Sequence, residues 1–502
     1  MNNGMDETTM TDALARDESS REAMVQRTVG IQVKMALVCI LFAILGGAIS
    51  SLHYMDASAW FLNEVGLTLP RIRPVHTSFA SLWIFGASLA AIYHYLCTSG
   101  DGLSVGDQRR FKIHTFLWIT AGVGILVSLV GGLSTGREYL GFHPVFSAML
   151  LLGWFVFAYS FLRRLRGGFF GKPIYIWFWT TGTLYFIWTF LEGHAWLLPS
   201  VYENPIRDLQ IQWKSCGTLV GSYNFLMYGS LIYATEKMSG DKSYGQSSTA
   251  FWLFSVGCLN SFTNYVHHTY HLPQSEVAKW ISFIVSMLEV IILVKVFFDL
   301  MAALKNKRAS QQETSFEARY ALFNSGKWWT LGMLFTSLLL SVPPLNSLVH
   351  GTLVVAGHAM GATIGIDTMV QLGVCAFLIS QLRPRRAAAW LNRSPVRREI
   401  VVINLSAAIL VLWLTISGAA HGVSRYYGHA TPAWVIDYRW MLPLAGACLG
   451  IAVVLMVSRY LIILSLPDLA QTESHEAKNS APQEEPQAVL AESLAESLDE
   501  SL

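Results

Sequence analysis

Leu345–Asp367 reads LNSLVHGTLVVAGHAMGATIGID and sets His350, His358 and Met360 in an apolar stretch interrupted by glycines. On an α-helix, residues two apart point about 200° from one another and differ by only about 3 Å in height. His358 and Met360 therefore cannot bind the same metal, but they suit two neighbouring hemes, one on each face of the helix. A small-residue transmembrane helix with one buried histidine and one packing methionine fits the same stretch. The surrounding chain has to decide between them.

Of the 502 residues, 53% are hydrophobic and 14% charged, and the mean hydropathy is +0.41. That is too little polar surface for a soluble chain of this length, so an integral membrane protein is expected. Apolar runs long enough to cross about 30 Å of hydrocarbon recur twelve times. They span 31–54, 71–97, 112–133, 140–163, 173–198, 216–235, 249–270, 277–303, 327–342, 348–381, 400–422 and 439–465. The expectation is an all-α, twelve-helix membrane bundle over residues 31–466, between a cytoplasmic tail at 1–30 and a disordered acidic tail at 467–502.

Basic clusters follow the even-numbered runs: Arg109, Arg110 and Lys112, then Arg163, Arg164, Arg166 and Lys172, then Lys305, Lys307 and Arg308, then Arg383 to Arg398. Loops after odd runs hold few, mainly Arg71, Arg73, Arg137, Arg207 and Arg425, which puts both termini in the cytoplasm. A net charge of +2 gives no general basic surface for nucleic acid. The six cysteines form no CxxC or CxxCH, so no disulfide framework, zinc ribbon or covalent heme is implied. Residues 1–28 lack the apolar core of a cleavable signal.

Run two opens with RPVHT, placing His76 about one turn inside the outer surface, where a satisfied polar group and a ligand are both compatible. Run seven ends in NYVHHTYH, with His267, His268 and His271. Neighbouring residues of a helix point about 100° apart, which still lets two imidazoles close on one metal. Glu289 lies within LEVII in run eight, where a carboxylate is costly and points to a proton path or a metal contact. Glu192 and Lys214 sit near outer boundaries.

Taken together, His76, the His267-His268 pair, and His358 with Met360 resemble subunit I of the heme–copper oxidase superfamily over residues of about 31–465. RPVHT is similar to the helix-two motif of cbb3-type cytochrome c oxidases and nitric oxide reductases, and STGREYL looks like a stretch of the nitric oxide reductase large subunit. The resemblance implies that His76 and Met360 hold a low-spin heme b and His358 a high-spin heme b3. It also implies that His267 and His268 hold a non-heme metal, and that His350 lies in the propionate region. Met360 stands where the family usually has histidine, giving His/Met ligation of raised potential. Lys214–Gly221, where the family has a third metal-binding histidine, contains none. With Glu289 as substitute donor, non-heme iron is favoured over copper.

The resemblance implies a catalytic subunit of a bacterial inner-membrane respiratory chain, drawing electrons from a cytochrome c-type subunit or a quinol. The cbb3 oxidases carry a redox tyrosine six residues before the histidine pair, where this chain has Ser261, and nitric oxide reductases have a glutamate matching Glu289. Reduction of NO to N2O is therefore preferred to reduction of O2 to water, with a non-catalytic heme protein as a further alternative. A transporter would keep its ionisable groups near the midplane, whereas these histidines gather at the outer end.

Overall fold

A computed structural model describes residues 7–466 except 101, 166, 167, 169 and 309–315. The acidic tail at 467–502 and Arg166 of the basic loop after run four thus lie outside the described residues. Among the described residues there is no strand. The longer helices are α1 (Glu7–Leu52), α2 (Leu69–Thr98), α3 (Val105–Val130), α4 (Pro144–Arg163), α5 (Ile174–Glu192) and α6 (Pro205–Ser239). They continue with α7 (Ser248–Thr263), α8 (Glu276–Arg308), α9 (Phe316–Ser341), α10 (Leu353–Leu382), α11 (Ser394–Tyr426) and α12 (Met441–Ser465).

Each of the twelve apolar runs coincides with one of these helices. Among the described residues, eight spans are long and apolar enough to cross a membrane, and a ninth if α9 and the helix Pro343–Val349, bent by 88°, are taken as one. The remaining three are α5, α6 and α7. Tryptophan and tyrosine dilute the aliphatic content of α5, α6 carries Arg207, Asp208 and Lys214, and α7 is only 16 residues long. At the other end of the chain, α1 begins at Glu7, so residues 7–30 are helical rather than an irregular tail. No glycine or proline falls between Glu7 and Val29 to stop a helix that the following apolar run propagates.

Helix α3 shows why these elements need lipid. Ser104 and Asp107 cap its start reciprocally, and Arg110 and Arg164 then hold the Asp107 carboxylate at 2.6 and 3.2 Å, tying the ends of α3 and α4 together. Along it, His114, Trp118, Ala121 and Ile125 face inward, while Phe116, Ile119, Val123 and Val127 are exposed. A continuous exposed apolar stripe of this kind is stable against hydrocarbon and not against water.

The centre of the bundle belongs to α2 and α10, whose apolar windows are 83% and 78% buried against 33% for α3. Glycines at every fourth position let α10 sit there. A Cβ at Gly357 would fall 2.7 Å from Thr415 of α11, at Gly361 2.1 Å from Met333 of α9, and at Gly365 2.2 Å from Trp329 of α9. This is the small-residue ridge by which membrane helices approach closely. Within α10, Gly361–Thr368 is π-helical, directly after the turn that carries His358 and Met360.

Candidate heme and metal site

His76 stands in the second turn of α2 and is fixed from α1. Its Nδ1 lies 2.7 Å from the carbonyl oxygen of Ala43. A carbonyl only accepts, so Nδ1 carries the proton and Nε2 keeps the lone pair that a metal needs. The space for the ring comes from two adjacent glycines: a Cβ on Gly47 would be 2.8 Å from His76 Nδ1, and one on Gly46 3.0 Å from the His76 backbone nitrogen.

His358 is set by the same logic through a hydroxyl. The Thr336 hydroxyl of α9 lies 3.2 Å from the Met333 carbonyl oxygen and 3.3 Å from His358 Nδ1. This contact engages His358 Nδ1 and points Nε2 away from Thr336. Met360, two residues on, packs half-buried against the main core.

His267 and His268 do not lie on an α-helix as the sequence led us to expect. Helix α7 ends at Thr263, and Asn264–His268 is a 3-10 turn, in which successive side chains are about 120° apart. The two imidazoles are nevertheless close, with ring centroids 4.2 Å apart. His268 stacks on Trp213 of α6 at 4.4 Å, and Asn346 donates to the His267 carbonyl at 2.9 Å, fixing the turn to the helix Pro343–Val349. Nδ1 of each ring is buried without a hydrogen-bond partner. Such a group costs about 1–3 kcal/mol. A ligand on those nitrogens would relieve that cost.

The other expected site residues are placed as follows. The His350 ring is 5.0 Å from that of His271 and 5.9 Å from that of His268, and its carbonyl accepts from Arg425 at 2.9 Å. Glu289 accepts from the Asn260 side chain, which in turn accepts from Ser286 at 2.9 Å, and Tyr228 hydrogen bonds to the same carboxylate. Glu289, Asn260 and Tyr228, together with Asn224, Ser261 and Asn264, line a small polar cavity between α6, α7 and α8. Lys214 is ion-paired with Glu192 and lies over the Trp188 ring, so its ammonium has no lone pair to offer a metal. Among the described residues, no three His, Cys, Asp or Glu side chains gather to hold a metal ion. The structure thus brings His267 and His268 together, while Glu289 is held by Asn260 in a separate small cavity.

The STGREYL turn links the surrounding helices. Arg137 grips Asp208 at the start of α6 with both nitrogens, at 2.7 and 2.9 Å, while Glu138 pairs with Arg73 of α2 at 2.8 Å. Gly136 and Tyr139 take the left-handed backbone that the tight reversal needs, with φ of 75° and 59°. Sequence reading missed Gly46, Gly47 and Thr336. The one available signal was a pair of adjacent glycines in the middle of an apolar run.

The fold defines a multi-pass, all-helical membrane protein, and the site a set of imidazoles with ligating nitrogens left free. Residues 28–448 match the family described as Cytochrome C and Quinol oxidase polypeptide I, and the chain belongs to that family. It is an oxidoreductase subunit of the heme–copper oxidase type, membrane-embedded and part of respiratory electron transfer.

Proposed function

We propose that the chain is the catalytic subunit of a nitric oxide reductase, converting two NO, two electrons and two protons to N2O and water. The observation that carries this choice is the setting of Ser261. Its hydroxyl donates to the Gly257 carbonyl at 2.9 Å, and a Cβ on Gly221 of the facing helix would lie 2.4 Å from its oxygen. The position at which an oxygen-reducing relative of cbb3 type carries its redox phenol thus holds only a serine hydroxyl, turned to its own helix backbone and packed against Gly221.

In this reading His76 and Met360 would hold a low-spin heme b, and His358 would hold a high-spin heme b3. The free Nε2 atoms of His76 and His358 support these assignments. The hemes, when bound, would supply electron transfer and binding of a diatomic ligand. The His267-His268 pair fits half of a non-heme metal site, and no step is assigned to a second metal. Its two buried, unpartnered Nδ1 atoms are available to a metal or to a small polar ligand.

Glu289 is the proton carrier of this scheme, held by Asn260 and Tyr228 beside a polar cavity large enough for a water molecule. Electrons come from a cytochrome c-type subunit or a quinol. The topology is twelve spans in a bacterial inner membrane with both termini cytoplasmic, following the distribution of Arg and Lys.

A second reading, reduction of O2 to water, draws on the Tyr228 phenol beside Glu289. The two are separated by measuring N2O formation and O2 consumption by the purified protein under the same electron supply. Faster turnover of NO is expected, and faster four-electron reduction of O2 would overturn the proposal.

A further inference from the structure

The 3-10 turn Asn264–His268 carries three buried atoms without a hydrogen-bond partner: Nδ1 of His267, Nδ1 of His268 and Oδ1 of Asn264. A 3-10 helix repeats every three residues, so side chains at i and i+3 eclipse, and Asn264 stands in one column with His267, about 6 Å along the axis. The Asn264 amide is fixed from α6. Its Nδ2 lies 3.4 Å from the Gly217 carbonyl oxygen, and because a carbonyl only accepts, the amide oxygen is the atom left over. Room for it comes from the glycine: a Cβ on Gly217 would be 2.3 Å from Asn264 Oδ1. Trp213, four residues before Gly217 and on the same face of α6, stacks on His268. The turn thus lies along α6 with both its ends engaged. Gly217 falls within Lys214–Gly221, the stretch without a histidine, and the side chain that fills the space beside it is Asn264.

We propose that Asn264 Oδ1 is the third protein donor of the non-heme metal site, completing with the His267 and His268 imidazoles a set of two nitrogens and one oxygen for ferrous iron. This rests on the reading of the histidine pair as metal ligands. Buried polar atoms left unmet cost stability, and one ion answers all three at once. Imidazole suits iron, copper and zinc, carbonyl oxygen suits harder ions, and iron accepts both. With all three donors on a single turn, the site needs no ligand from α6. Asn264 also lines the Glu289 cavity, so a water held there is the competing partner for its oxygen.

The test uses the purified full chain with its hemes. As purified, the wild type should carry iron in excess of its heme iron, and copper in its place would overturn the choice of ion. The protein is then treated with a chelator and titrated with Co2+ in equilibrium dialysis, a probe that heme iron does not mask, with bound cobalt per heme as the readout. Asn264→Ala should weaken Co2+ binding about 100-fold at unchanged heme content. Asn264→Asp keeps an oxygen donor and adds opposing charge, so it should bind at least as tightly as the wild type. Aspartate cannot donate to the Gly217 carbonyl, so this rescue separates ligation from bracing of the turn. Wild-type affinity in Asn264→Ala overturns the proposal and leaves the oxygen to a water of the cavity. Equal loss in both variants also overturns it, since the amide would then act only by packing. His267→Ala with His268→Ala tests the underlying reading: if that double variant binds Co2+ like the wild type, the histidine pair is no metal site, whereas loss there with retention in Asn264→Ala removes the third donor alone.

Discussion

Gly47→Ala tests the placement of His76 with the smallest available change. In a helix with room for the new methyl group, glycine to alanine stabilises by about 0.5–1 kcal/mol. At Gly47 the new Cβ would lie 2.8 Å from Nδ1 and 2.9 Å from Cε1 of His76. The imidazole must move, at an overpacking cost of about 1–3 kcal/mol. It also loses the 2.7 Å hydrogen bond to Ala43, and with it the constraint on its tautomer. Loss of such an orienting partner lowers metal affinity about 10–100-fold. The low-spin heme signature should therefore fall in absorption and magnetic circular dichroism spectra, while high-spin heme stays. Gly122→Ala on α3, where a Cβ meets nothing within 4 Å, is the control and should leave the spectrum unchanged. A Gly47→Ala protein with wild-type heme content and an undisturbed low-spin signature would refute the reasoning.

Four further outcomes follow from the same geometry. His76→Ala should lose the low-spin heme and keep the high-spin one, whereas Met360→His should keep both, change the near-infrared magnetic circular dichroism from His/Met to bis-His, and lower the potential. Thr336→Val removes the hydroxyl partner of His358 Nδ1 and should loosen the high-spin heme about 10–100-fold, read by heme retention during dilution. Glu289→Gln should leave both hemes in place and slow NO turnover about a hundredfold, as expected for loss of a proton-transfer group, and an unchanged rate would remove Glu289 from the proton path.

The sequence was most legible where one periodicity was repeated. Apolar runs reported helices because a membrane demands it of every span, and the wide separation of His358 and Met360 around α10 follows from helical geometry alone. What it hid was mostly local backbone choice and long-range pairing. Nothing in NYVHH distinguishes a continuing α-helix from the 3-10 turn that in fact carries His267 and His268, since the difference is one hydrogen-bond register. Lys214 looked like a gap in a ligand set, and only tertiary structure brings Glu192, 22 residues earlier, to pair with it. Thr336 and Ala43 act through a hydroxyl and a backbone carbonyl, groups so common in a sequence that their partners alone give them meaning.

The π-helical stretch Gly361–Thr368 changes what a single-residue deletion would do to α10. In a regular α-helix, removing one residue rotates everything beyond it by about 100°. A π turn already contains one residue more than an α turn, so a deletion there is absorbed by conversion to regular helix. The turn bearing His358 and Met360 would keep its bearing on Thr336, and the buried segment from Met369 onward would keep its own contacts. The same deletion between Met369 and Leu382 would turn one half of the helix against the other. The two halves of α10 are thus free to change in length independently at this place, which works as a slip joint between the candidate ligands and the C-terminal half of the helix.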